Sequence, residues 1–348
     1  MEIEQREEEE EERTQRAFEH VVEPVIDPYA AMNIVRNADG SLTRLPIFPT
    51  SPPVGEEEDP TARCFSKDVF SSRRNNNDHN LLRLRIYRPN SVPAEKSKSK
   101  LPVLVFFHGG GFICFSADTE GYHMNAEEMA CRVPAIVVSV DYRLAPENPL
   151  PAAYDDAVAA LEWVRDESRC NEPWIRDHGD MSRCFLIGSS AGGNVAYRTA
   201  LRTSKMDLGP VRIEGLILVQ PFFGGVGRTE SEVRLARDKI LPSPVTDMMW
   251  ELAFPSGSDR DHEFCNPMTR TPPSEEQGKL PRILVTGDSG DPLIDRQRAF
   301  VKMMEEKGVV KVVGPFTEGG RHGAEFFDVG AMEDLAMDVK CFVSSGFF

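Results

Sequence analysis

No run of the sequence approaches the roughly 20 consecutive apolar residues that a membrane-crossing helix requires, so a membrane span is not expected. The amino terminus is acidic and has no apolar core segment, which predicts that no secretory signal is present. Cysteine is sparse and unpatterned. Its seven residues are an odd number at scattered spacings, with no C-x-x-C pair. Neither a zinc site nor a disulfide framework is indicated, and a reduced, cytoplasmic setting fits best. Basic charge is in deficit: 40 Lys and Arg against 56 Asp and Glu give a formal net charge of −16. Non-specific nucleic-acid binding is therefore disfavoured. No cluster of metal-ligating side chains stands out, and neither a metal nor an organic cofactor is expected.

What is present is organised unevenly. Residues 1–20 carry nine acidic and three basic residues, with an unbroken acidic run from Glu7 to Glu12. Such a block repels itself and stays solvated, so this stretch is read as a disordered tail. Residues 21–60 hold little periodicity. Asp27 to Val35 suggests a short helix, Asn37 to Gly40 a turn, Ser41 to Leu45 an extended piece, and Pro46 to Pro60 irregular chain. This segment reads as an arm that packs on something else. Residues 61–348 form the remaining unit.

Asp68-Val69-Phe70 and Leu82 to Tyr87 look like strands, the second alternating apolar and basic residues as an antiparallel edge region would. From residue 101 the texture becomes alternating strand and helix. Val103 to Phe107, Ala135 to Val140, Phe185 to Ile187, Leu216 to Val219 and Ile283 to Val285 are near-continuous apolar strands. Ala153 to Val164, Gln297 to Lys307 and Met332 to Phe342 read as helices. Strands this apolar imply a mostly parallel central sheet covered by helices on both faces. Residues 225–270 interrupt the rhythm and suggest an insertion that forms a lid or pocket wall.

Gly188-Ser189-Ser190-Ala191-Gly192 lies between the apolar strand Arg183 to Ile187 and the helical stretch from Asn194. Strand, G-x-S-x-G, helix is the context that presents a nucleophilic serine on a sharp turn. A nucleophilic Ser190 needs a base and an orienting acid. In folds built around such a turn the order along the chain is Ser, then Asp or Glu, then His. Of the seven histidines only His322 lies beyond residue 291, in a glycine-flanked loop. It is the expected base. Asp288, Asp291 and Asp295 follow the strand Ile283 to Thr286, and the local sequence favours none of the three. His108-Gly109-Gly110-Gly111 directly follows the strand Val103 to Phe107. Glycines there can turn bare N–H groups toward a developing oxyanion. His108 precedes Ser190 and belongs to that loop, so its role reads as structural. Phe112, Ile113, Phe222, Phe223 and Trp250 could wall a pocket, but ordinary core packing is the better reading for each.

Taken together, His108 to Phe112, Asp141-Tyr142-Arg143-Leu144-Ala145-Pro146-Glu147, Pro151 to Asp156, Gly188 to Asn194, Asp291 to Asp295 and His322-Gly323 resemble the plant carboxylesterases of the hormone-sensitive-lipase group. The resemblance covers roughly residues 27–348. It implies an α/β-hydrolase fold with a lid contributed by the arm and the insertion. It implies Asp291, rather than Asp288 or Asp295, as the acid, and oxyanion donors at Gly110, Gly111 and Ala191. It implies a small-molecule ester as substrate, cleaved through an acyl-enzyme. One departure is visible: many members of the group carry Asp before the nucleophile, where this chain has Ser189. The same resemblance leaves two other functions open, a hormone-like small-molecule receptor and a lyase or cyclase. The gibberellin receptors resemble this family but lack the histidine found here as His322.

Overall fold

The computed structural model describes residues 25–71, 81–91, 100–168, 171–269, 280–308 and 312–345. The acidic stretch 1–20 lies outside these residues. The chain builds a nine-stranded sheet in the order β10-β9-β8-β7-β5-β6-β4-β3, with β11 also paired to β9. Here β3 is Cys64–Ser71, β4 Leu82–Pro89, β5 Leu101–Phe107, β6 Ile136–Val140, β7 Gly179–Ser189, β8 Ile213–Val219, β9 Arg282–Asp288, β10 Val312–Val313 and β11 Phe316–Thr317. From β6 through β10 the pairs are parallel, and β4 runs antiparallel to both β3 and β6. Parallel pairs need long crossovers, and helices supply most of them.

The period of two along β5 explains the layering. Val103, Val105 and Phe107 point into one core, and Leu104 and Phe106 into the other. The helices Ala152–Glu167, Ala191–Thr203 and Ile294–Glu306 cover the first face, while Glu120–Arg132 and Val329–Ser344 cover the second. Each fully buried Val, Leu or Phe in these layers contributes about 1.5–3 kcal/mol relative to exposure. Strand β4 is antiparallel to both its neighbours, as its alternating residues suggested, but it lies one strand in from the edge. Arg85 and Arg88 are buried, and the Arg85 guanidinium makes two hydrogen bonds to the Asp68 carboxylate, at 2.7 and 2.8 Å.

Before the sheet, the helix Pro28–Ala31 starts under the Asp27 carboxylate, which accepts from Tyr29 N at 2.9 Å. It is shorter than the sequence suggested, because Ile34–Arg36 pairs instead with Leu42–Arg44 as a small antiparallel hairpin, β1 and β2. Arg44 on β2 ties this hairpin to the body. It donates to the carbonyls of Ile113 at 2.5 Å and Ala145 at 2.6 Å and pairs with Glu147. The chain then bonds along the start of the helix Glu120–Arg132, with Ser51 N to Asp118 O and Glu120 N to Pro49 O, both 2.9 Å.

Candidate active site

Ser190 stands between the last residue of β7 and the first of the helix Ala191–Thr203, with φ 53° and ψ −117°. A non-glycine residue held there costs on the order of 1–3 kcal/mol and persists only where its surroundings over-determine it. They do so here. Ser190 N donates to Val219 O at 2.8 Å, and its carbonyl accepts from Gly193 N at 3.0 Å and Phe222 N at 2.9 Å. Close packing enforces the turn: a Cβ on Gly192 would sit 2.0 Å from the Phe107 carbonyl.

The loop that follows β11 carries His322 to this turn. His322 Nε2 lies 2.9 Å from Ser190 Oγ, and Nδ1 lies 2.9 Å from Asp291 Oδ2. Asp291 is fully buried and follows β9. Its Oδ1 accepts from Leu293 N at 2.8 Å, and Oδ2 also accepts from Gln297 Nε2 at 2.7 Å. These contacts fix the carboxylate plane against the imidazole. Burial opposes the imidazolium, but the Asp291 charge and hydrogen bond, with Glu325 and Asp238, outweigh it and raise the His322 pKa above its ordinary value. Neutral His322 with its proton on Nδ1 presents a bare Nε2 to the serine hydroxyl.

The structure separates the three aspartates that local sequence left open. Asp288 accepts from Gln220 Nε2 at 2.7 Å and from the Thr317 hydroxyl, away from the His322 ring. Asp295 sits inside the first turn of Ile294–Glu306 and accepts from Ser231 N at 2.8 Å, bracing the insertion. Only Asp291 meets His322.

The loop after β5 faces the same point. Gly110 and Gly111 have φ of 103° and 60° and line one cavity with Ser190 and His322. A Cβ on Gly110 would lie 2.3 Å from the Cys114 carbonyl, so this loop shape needs glycine. Among the described residues, no hydrogen bond is donated by the N–H of Gly110, Gly111 or Ala191. The loop is braced from behind. The His108 ring stacks on Tyr142 with centroids 4.2 Å apart, and Tyr142 OH donates to His108 O at 2.8 Å. His108 is fully buried, and burial lowers its pKa.

The cavity encloses about 240 Å³. One wall is aromatic, with Phe48 from the arm packed against Phe115 and Phe326 at centroid distances of 5.9 and 4.8 Å. The opposite wall comes from the insertion, with Leu241 and Met249. Phe112, Ile113, Phe222, Phe223 and Trp250 pack in the core and do not line it. Three supporting residues gave no signal in the sequence. Gln297 holds Asp291, and its position four residues before Val301 marks only a helix interior. Gln220 receives the Gly323 N–H at 2.5 Å and donates to Arg321 O at 3.0 Å, bracketing His322. Glu325 accepts from Ser189 Oγ at 2.5 Å.

Residues 104–325 match the family described as alpha/beta hydrolase fold. The chain belongs to that α/β-hydrolase family. Within it the chain falls among the plant carboxylesterases. It is 44% identical over 331 residues to probable carboxylesterase 8 of Arabidopsis thaliana, covering 92% of this chain and 95% of the relative. It is 47% identical over 303 residues to 3-O-acetylpapaveroxine carboxylesterase CXE2 of Papaver somniferum, covering 82% and 96%. The gibberellin receptor GID1A of Arabidopsis thaliana is also similar, 35% identical over 80% of each chain. Among solved structures, a Pyrobaculum calidifontis esterase superposes with a TM-score of 0.66 at 27% identity, covering 80% of this chain and 86% of that one.

Proposed function

We propose that this chain is a carboxylic ester hydrolase in which Ser190 is the nucleophile, His322 the base and Asp291 the orienting acid. The observation that carries the reading is the continuous hydrogen-bonded chain from Ser190 Oγ through His322 to Asp291 Oδ2. Ser190 Oγ attacks the ester carbonyl carbon while His322 Nε2 takes its proton. The carbonyl oxygen becomes an oxyanion facing the N–H groups of Gly110, Gly111 and Ala191. Removing one such donor in a serine protease costs about 100- to 1,000-fold in kcat. The imidazolium then protonates the leaving alkoxide, leaving an acyl group on Ser190. Water repeats the attack with His322 again as base, and the carboxylic acid departs.

The apolar, largely aromatic walls suit an uncharged ester with a small acyl group and a ring-bearing alcohol. The Papaver relative is named for an O-acetyl substrate, which agrees with a small acyl group. An enclosed cavity would serve a hormone-like ligand equally well, and the intact serine–histidine–aspartate chain is what favours turnover. No helix among the described residues is long and apolar enough to cross a membrane, and six cysteines there are free, which suits a cytoplasmic enzyme. A panel of p-nitrophenyl esters from acetate upward tests the reading. Wild type should turn over the short esters, and Ser190→Ala and His322→Ala should not. Equal rates in all three would remove the proposal.

A further inference from the structure

Glu325 lies three residues beyond His322, on the short helix Ala324–Phe327, and only 5% of it is exposed. Its carboxylate accepts the hydroxyl proton of Ser189, the residue immediately before the nucleophile, at 2.5 Å. Its backbone carbonyl accepts from Asn125 Nδ2 at 3.4 Å. Among the described residues no Lys, Arg or protonatable His forms an ion pair with this carboxylate. A buried carboxylate without a cation partner is costly and calls for a reason. Here the compensating charge available is transient: the imidazolium that forms at His322 during proton transfer.

We propose that Glu325 is a positioning residue for the ester-cleaving reaction described above. Through Ser189 it clamps the loop that carries the base to the strand that carries the nucleophile, and it sets a second negative charge beside the imidazole. This inference rests on the esterase reading. The clamp joins the two sequence segments that must hold a 2.9 Å contact between His322 and Ser190. Misplacement by about 1 Å at such a contact can cost about 100-fold. The charge acts separately, because a carboxylate near an imidazole favours its protonated form.

The groups around both residues are defined. His322 faces Asp291 from the segment after β9, Asp238 from the insertion and Glu325 from its own segment. Tyr122 and Lys239 line the same cavity. Glu325 faces Ser189, His322 and Tyr122, with Asp288 also near. On its far side a separate cavity of about 340 Å³ is bordered by Glu325, Asp288, Glu318, Asp334 and Asp338. Those neighbours are acidic, so His322 is the cationic group that Glu325 can serve. Burial holds the Glu325 pKa above its ordinary value despite the Ser189 hydrogen bond and a charged His322, which both lower it, so its negative charge is drawn out most when the imidazolium forms.

The test compares wild type, Glu325→Gln, Ser189→Ala and His322→Ala for kcat/KM on p-nitrophenyl acetate between about pH 5 and about pH 9, with a thermal melt of each. The rate at which diethyl p-nitrophenyl phosphate labels Ser190 is followed in parallel. Glu325→Gln should lower the plateau about tenfold and move the acid inflection down by about half a pH unit, as loss of a nearby negative charge requires. Ser189→Ala removes the clamp and keeps the charge. It should lower the plateau severalfold and leave the inflection where it was. An unmoved inflection in folded Glu325→Gln would overturn the electrostatic role. A wild-type rate and profile in Ser189→Ala would overturn the clamp. If Glu325→Gln melts before assay, Glu325→Asp, which keeps the charge and shortens the reach to Ser189, takes its place, and a shifted acid inflection in that variant would overturn the electrostatic role. An esterase-dead wild type would count against the esterase reading. It would leave the Glu325 inference readable through the pH dependence of Ser190 labelling.

Discussion

Replacing Asp291 by Asn probes the site with one oxygen exchanged for an NH₂ group. In the wild-type protein Asp291 offers only acceptors, to Leu293 N, His322 Nδ1 and Gln297 Nε2. An asparagine must aim its two N–H donors at one of these groups. If they face Leu293 N, a buried donor meets a donor and loses a hydrogen bond, which costs roughly 1–3 kcal/mol. If they face His322 and Gln297, both neighbours can adapt. Gln297 Oε1 has no hydrogen-bond partner, so a flip of the Gln297 amide supplies an acceptor. His322 adapts by moving its proton from Nδ1 to Nε2. The second arrangement is therefore the cheaper, and it points an N–H at Ser190 where a lone pair is needed. The base is lost while the fold is kept. The corresponding change in a serine protease lowers kcat by about four orders of magnitude, which corresponds to about 5.4 kcal/mol at 1.36 kcal/mol per decade. Steady-state hydrolysis of p-nitrophenyl acetate measures it, with a melting curve to verify folding. Asp288→Asn and Asp295→Asn should stay within about tenfold of wild type. A severe Asp288→Asn with a mild Asp291→Asn would refute the reasoning.

Two further outcomes follow from the same geometry. The folded-state pKa of His322 is raised, and only neutral imidazole can take the serine proton. Thus kcat/KM should rise with pH through an inflection above about 6.5, the ordinary histidine value. The linkage runs the other way for stability: the raised pKa contributes below the unfolded-state value and is lost as pH rises through the folded one. Inflection below about 6 in a pH–rate profile would contradict this. Phe48→Ala removes ring contacts to Phe115, Phe326 and Phe327. Phe48 lines the cavity, and an aromatic pair contributes about 0.5–1.5 kcal/mol, so loss of one pair with a substrate ring should raise KM for an aryl ester by up to about tenfold with kcat within about threefold. A collapse of kcat at constant KM would place Phe48 outside the cavity's binding role.

The sharp turn at Ser190, the parallel strands and the placement of His322 beside that turn could be read from the sequence because each has a local signature. The elbow is five consecutive residues between strand and helix, and His322 is the last histidine in the chain. Asp291 could not be separated from Asp288 and Asp295 by local sequence. All three lie close in sequence between the end of β9 and the first turn of the helix Ile294–Glu306, and what distinguishes Asp291 is its contact with His322 and the packing of Gln297 and Leu293 around it. The helix Glu120–Arg132 went unread although Tyr122, Ala126, Met129 and Ala130 recur at helical spacing, because Gly121, His123 and Asn125 are buried beside them and dilute that apolar stripe. The hydrogen bond between Ser189 and Glu325 joins residues 136 apart. No spacing rule reaches that far. Phe222, Phe223 and Trp250 pack in the core as expected, but the aromatic wall formed by Phe48, Phe115 and Phe326 could not be read, because a phenylalanine in a core and one in a cavity look alike until the chain is folded.

Covalent trapping identifies the nucleophile. Wild-type protein is incubated with diethyl p-nitrophenyl phosphate, and intact mass is followed together with residual esterase activity. Peptide mapping then locates the adduct. One diethylphosphoryl group per chain is expected, carried on Ser190, with activity lost in step with labelling and no reaction in Ser190→Ala. Full loss of activity with the label on another serine, or undiminished hydrolysis by Ser190→Ala, would contradict that assignment.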